Sequence, residues 1–132
     1  MKHRILRNLF TTGTIGLTLG VSVFSQDNTP KVTSIEGLVR DIACPIQNPE
    51  AKATDFNLKC AVKCARSGSP LIIQTKDDLF YIPISGKMPD TDQRPRLMPF
   101  VGKYVRATGQ VFERNGTRAI VVQDVQVISP SH

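Results

Sequence analysis

From residue 70 onward the chain arranges its apolar positions in short runs of strand length, each bounded by turn residues. Residues 71–75 and 79–84 are rich in Ile, Leu, Phe and Tyr and flank the polar step Lys76-Asp77-Asp78, which predicts a hairpin. Residues 104–113 place Val105, Ala107 and Val111 around Gly109, and residues 117–128 carry Ala119-Ile120-Val121-Val122 followed by alternating Val125 and Val127. Asn115-Gly116 between them is the strongest hairpin signal in the chain, since both residues tolerate the left-handed conformations of a type I′ turn. Upstream, residues 33–42 have Ile35, Leu38, Val39 and Ile42 interrupted by Gly37, which predicts a bent first strand. Residues 43–55 hold two prolines and no period, and are expected to form a loop.

One segment breaks the strand pattern. Residues 58–67 predict a helix that Asp55 or Asn57 can cap and that Gly68 and Pro70 terminate. Its Cys60, Ala61, Cys64 and Ala65 form a face of small residues that can approach a sheet closely, while Lys59, Lys63 and Arg66 point elsewhere. Residues 85–99 contain Gly86, Pro89, Pro95 and Pro99 and predict an irregular connection with one helical turn near residues 94–98.

Five strands with a hairpin in the middle and another at the end suit a small closed barrel better than a sandwich, which needs about seven. Gly37 and Gly109 fall where a tightly curved barrel requires coiling points. The series GLVRDI, a hairpin, and GKYVRATGQVFERNGTRAIVVQDVQVI resembles the oligonucleotide/oligosaccharide-binding (OB) fold, over residues 34–128. The expected fold is therefore an all-β, five-stranded OB-like barrel, with one departure: its helix is inserted between strands 1 and 2, whereas the usual helix of that fold lies between strands 3 and 4.

The first 25 residues differ from the rest. Lys2, Arg4 and Arg7 precede an acid-free apolar run to Phe24, and Val23 and Ser25 supply the small residues of a cleavage site. This predicts a signal peptide over residues 1–25, a polar lead at 26–32, a barrel domain at 33–128 and a tail at 129–132, with a periplasmic or secreted mature chain. Thr and Gly dilute the apolar run below the roughly 20 residues of a spanning helix, so no membrane span is expected after cleavage. The chain's formal charge of +6 includes three basic residues and no acid from this segment, leaving +3. Scattered among acids, that balance disfavours nucleic acid as a partner.

Three cysteines remain to be explained: Cys44 at the end of the first strand, and Cys60 and Cys64 one helical turn apart. In an oxidising compartment three thiols leave one unpaired unless a metal, cofactor or second chain takes it. One reading is a soft-metal site formed by all three: three sulfurs suit trigonal Cu(I), and zinc would want a fourth or supporting group such as Asp41. The competing reading is a disulfide from Cys44 to Cys60 or Cys64, stapling the loop and helix to the barrel and stabilising by roughly 3 kcal/mol on the chain-entropy estimate. A bridge between Cys60 and Cys64 is disfavoured by the long Cα separation across a helical turn. The blander reading is that small cysteines simply pack. No enzyme is expected. Ser67-Gly68-Ser69 has no histidine base but His132, and the pairs Asp77-Asp78 and Asp90/Asp92 lie in turn-forming stretches. Tyr81 and Phe80 could offer stacking faces to an oligonucleotide or oligosaccharide, although one of the two is expected in the core.

The block D-x-x-C-P, here residues 41–45, followed by C-A-x-x-C-A-x-x-G-x-P-L, here residues 60–71, is similar to one in uncharacterised secreted bacterial proteins. That resemblance implies export and brings no activity with it. From the cysteines and the predicted export, the expected partner is a metal ion or an unknown periplasmic protein.

Overall fold

The computed structural model describes residues 30–50 and 56–129. Five strands, β1 (Lys31–Asp41), β2 (Leu71–Gln74), β3 (Phe80–Pro83), β4 (Tyr104–Arg114) and β5 (Thr117–Val127), close into a barrel in the order β1-β2-β3-β5-β4. This is an OB-like barrel. The long, bent β1 makes the closure possible by serving two neighbours. Its first part, Lys31 to Leu38, runs antiparallel to β4, and its last part, Leu38 to Asp41, runs antiparallel to β2. The final seam is parallel, with Tyr81, Ile82 and Pro83 of β3 opposite Arg118, Ala119 and Ile120 of β5.

Both expected coiling glycines sit at close approaches. A Cβ on Gly37 would collide with the carbonyl of Gln74, and one on Gly109 would collide with that of Val121. The β4–β5 register slips between Thr108 and Gly109, so the bend there is a bulge. Asn115 and Gly116 both take positive φ, 51° and 78°, as the two-residue turn requires.

The barrel interior is filled by the alternate residues of its strands: Ile35, Val39, Leu71, Ile73, Val105, Ala107, Ile120 and Val122 are buried in one cluster. Tyr81 packs against that cluster, leaving Phe80 as the more peripheral aromatic of the pair. Helix α2 (Leu58–Arg66) joins the cluster through Ala61 and Ala65, which are 1% and 3% exposed. Ala is short enough to let the helix backbone lie close on the barrel.

Two helical pieces differ from the sequence expectation or refine it. Residues 43–47, expected within a loop, form the short helix α1 (Ala43–Gln47). Pro45 does not prevent this, because in the first turn its missing N–H has no intrahelical acceptor to lose. The turn expected near residues 94–98 is α3 (Arg94–Leu97) running into a 3-10 turn, Met98–Phe100. It buries Leu97 completely and occupies the place of the fold's usual helix. Arg94 Nη1 donates to the Ala65 carbonyl at 3.4 Å, linking α3 to the end of α2. No helix among the described residues is long and apolar enough to cross a membrane, and the expected signal segment lies outside them.

Candidate functional site

Strand β1 ends at Asp41, next to the start of the short helix that carries Cys44 and within electrostatic reach of Cys64 in the second half of α2. Asp41 is fully buried. Its Oδ2 accepts the Cys44 N–H at 2.9 Å, which fixes the first turn of α1 and with it the position of the Cys44 side chain. A carboxylate at that point also suits the positive end of a helix. The backbone is tied down on the other side, where Ile42 N–H donates to the Pro70 carbonyl at 3.0 Å.

Helix α2 brings the other two thiols. Asn57, rather than the alternative Asp55, which is outside the described residues, caps it by accepting the Cys60 N–H at 3.0 Å. At the far end Gly68 takes φ 109°, its N–H donates to the Ala65 carbonyl at 3.2 Å, and Ser69 N–H donates to the Cys64 carbonyl at 3.0 Å. That bond pair is a Schellman ending. Lys63 and Arg66 in the last turn favour the negative end of the helix.

All three cysteines are free thiols, with Cys60 exposed and Cys44 and Cys64 half-buried. Cys64 is the centre of the group. Burial pushes its thiol above the ordinary range, the Asp41 charge adds to the rise, and Cys60 and Cys44 act in the same direction. Cys44, expected at the end of the first strand, lies instead within α1, three residues beyond the last residue of β1, and acts on the charge of Cys64 from there. Among the described residues, no three of His, Cys, Asp or Glu stand preset in a metal-holding arrangement.

Asp41 has more to it than its sequence position indicated. Its Oδ1 is buried and has no hydrogen-bond partner. Such an oxygen is costly to keep dry and points to a missing donor or cation. On the outside of the same helix Lys59, Lys63 and Arg66 are exposed and form no ion pair with any described residue. An open groove of about 600 Å³ runs along that outer face, lined by Leu58, Lys59, Val62, Lys63, Arg66 and Ser67. It includes none of the three thiols.

The outer face of the barrel is a second candidate surface, and it is occupied. Arg40 and Gln74, which point outward from β1 and β2, are each 1% exposed. Arg40 Nη1 donates to Gln74 Oε1 at 3.1 Å, Gln74 Nε2 donates to Asp78 Oδ1 at 2.9 Å, and the Arg40 guanidinium lies 5.5 Å from the centre of the Phe56 ring. Nothing in the strand pattern distinguishes this buried polar pair from ordinary solvated positions. Asp90 and Asp92 also have local work: Asp90 Oδ1 accepts the Ser85 N–H at 2.7 Å, and Asp92 pairs with Arg94 at 2.7 Å. Comparison of the chain with protein-family models, with curated proteins and with solved structures finds no match in any of the three.

Proposed function

We propose that the chain is an exported, non-enzymatic binding module whose three-cysteine cluster, Cys44, Cys60 and Cys64, holds a soft metal ion of the Cu(I) or Zn(II) type. What supports this reading is that Cys44, Cys60 and the buried Asp41 carboxylate all act on the Cys64 thiol, and that Asp41 Oδ2 also accepts the Cys44 N–H. Thiolates are the natural ligands of such ions. Binding would release the thiol protons and concentrate negative charge at the helix, where Lys59, Lys63 and Arg66 offset it. Export is supported by the order of basic, apolar and small residues over positions 1–25.

The test uses the mature chain, residues 26–132, purified under reducing, anaerobic conditions. One equivalent of Cu(I) or Zn(II) is expected to bind, and Cys60→Ser to abolish it. Binding no better than that of the triple cysteine variant would end the reading. A second reading is favoured by the nearness of Cys44 to α2: a disulfide from Cys44 to Cys60 or Cys64 that staples the helix to the barrel. Alkylation of the denatured, unreduced protein separates the two, leaving one free thiol for the staple and three for the open cluster. Ligand binding by the outer barrel face has less support, because Arg40 and Gln74 are buried and bonded to each other there.

A further inference from the structure

We infer that the outer face of α2 is a docking surface for an anionic phospholipid bilayer, met through Lys59, Lys63 and Arg66 with Leu58 and Val62 beside them. At 3.6 residues per turn, Ala61 and Ala65 face the barrel, Leu58 and Val62 follow on one flank, and the three cations point away from the barrel. Cys60 and Cys64 fall on the other flank, so this surface is independent of the thiol reading. Leu58 is 53% exposed, although its side chain reaches Gly102. Lys103, next in the chain after that glycine, is exposed as well.

Charge selects an anionic partner. Lys59, Lys63, Arg66 and Lys103 form no ion pair with any described residue, whereas Glu36, Asp92 and Glu113 are each paired with an arginine elsewhere. Of the seventeen basic residues, three lie in the expected signal segment and four stand here, which leaves ten against eleven acids, so the net positive charge of the mature chain resides in this patch. Shape selects a flat partner. Every residue lining the groove belongs to α2, and no other described residue forms a facing wall. A helix surface also offers a peptide no free amide edge to pair with. Cationic tips on apolar stems, beside an exposed Leu and a half-buried Val, are the composition of a helix that lies at a bilayer interface.

The experiment is flotation of the mature chain, kept reduced, with vesicles of phosphatidylcholine alone or mixed equally with phosphatidylglycerol. Wild type is expected to float with the anionic vesicles at low salt and to be released as added salt shortens the screening length. Lys59→Gln combined with Lys63→Gln, its folding checked by circular dichroism, is expected to weaken binding about 25-fold, at about fivefold per cation. Lys76→Gln combined with Lys87→Gln removes the same charge outside the patch and is expected to keep most of the binding. Equal losses in the two double variants, or no preference of wild type for the anionic vesicles, overturns the inference. Tighter binding of soluble polyglutamate or duplex DNA than of vesicles, at equal anion concentration, assigns the face to a protein or nucleic-acid partner and overturns it too. Should the patch variant not fold, acetylation of wild-type lysines read by mass spectrometry decides: vesicles are expected to protect Lys59 and Lys63 and to leave Lys76 and Lys87 reactive, and equal reactivity at all four overturns the assignment.

Discussion

A methyl group on Gly37 or Gly109 has nowhere to go. In each case the nearest atom is a backbone carbonyl oxygen of a paired strand, Gln74 or Val121, which cannot swing aside as a side chain would. Gly116 presents the opposite situation: nothing lies within 4 Å of an added Cβ, and only its φ of 78° resists substitution. Gly37→Ala and Gly109→Ala are therefore expected to lose roughly 1–3 kcal/mol through overpacking and backbone shift, against about 1 kcal/mol for Gly116→Ala. Urea denaturation of the three variants checks the order, and a Gly116→Ala loss equal to the other two would contradict it. These glycines were legible in the sequence because a Gly inside a strand pattern has few other uses. Asp41 was only half legible. The sequence placed it beside Cys44, but its complete burial and its orphan oxygen depend on α2 lying over the end of β1, which no local pattern encodes.

At the scale of elements, length decided what could be read. Helix α2 carries a cap, a small-residue face and a glycine stop within a dozen residues, so it is announced several times over. Helix α1 spans five residues, with Pro45 inside it and Pro49 just after, and its defining bond comes from Asp41 in the preceding strand. Composition therefore pointed to a loop. The connection after β3 behaves similarly. Its shape is held by Asp90, which accepts the Ser85 N–H, and by the Asp92–Arg94 pair. Hydrogen bonds from Ser85 draw the Asp90 carboxyl below its usual range, and the Arg94 side chain does the same for Asp92. A lowered folded value means that the stabilising contribution is present above the ordinary carboxylate pKa of about 3.9 and is lost as pH falls below it. Nuclear magnetic resonance titration should give Asp90 and Asp92 midpoints below about 3.9, with the Ser85 amide shift following Asp90. In Asp90→Asn that acid-dependent movement should vanish; its persistence would show that another group holds the connection.

For the whole molecule, the barrel is closed but unevenly sewn. Strands β1, β4 and β5 are paired along long stretches, from Lys31–Val111 to Leu38–Tyr104 and from Val105–Val127 to Arg114–Thr117. The remaining closure is thin: β2 meets β3 through Ile73–Tyr81 and Gln74–Phe80, and β3 meets β5 over Tyr81 to Pro83, extended by Ile84 N–H donating to the Ile120 carbonyl at 2.9 Å. Opening at β3 exposes little core, because Pro83 is the one buried residue of that strand. Opening at β4 would expose Val105 and Ala107, both 0% exposed in the native fold. Native-state hydrogen exchange should therefore show a low-energy opening that releases the amides of Tyr81, Ile82 and Ile84 while those of Val105 to Val111 remain protected until global unfolding. The candidate site stands off the thin β3 seam, since Asp41 pairs with Leu71 of the fully buried β2 and α2 packs on β1. Metal loading, if the thiol site is as proposed, should then raise protection around residues 41–44 and 58–66 more than in β3. Uniform protection across all five strands would instead mean that the thin seam is as strong as the long ones, and that burial along β2, whose four residues are all buried, governs closure from the centre.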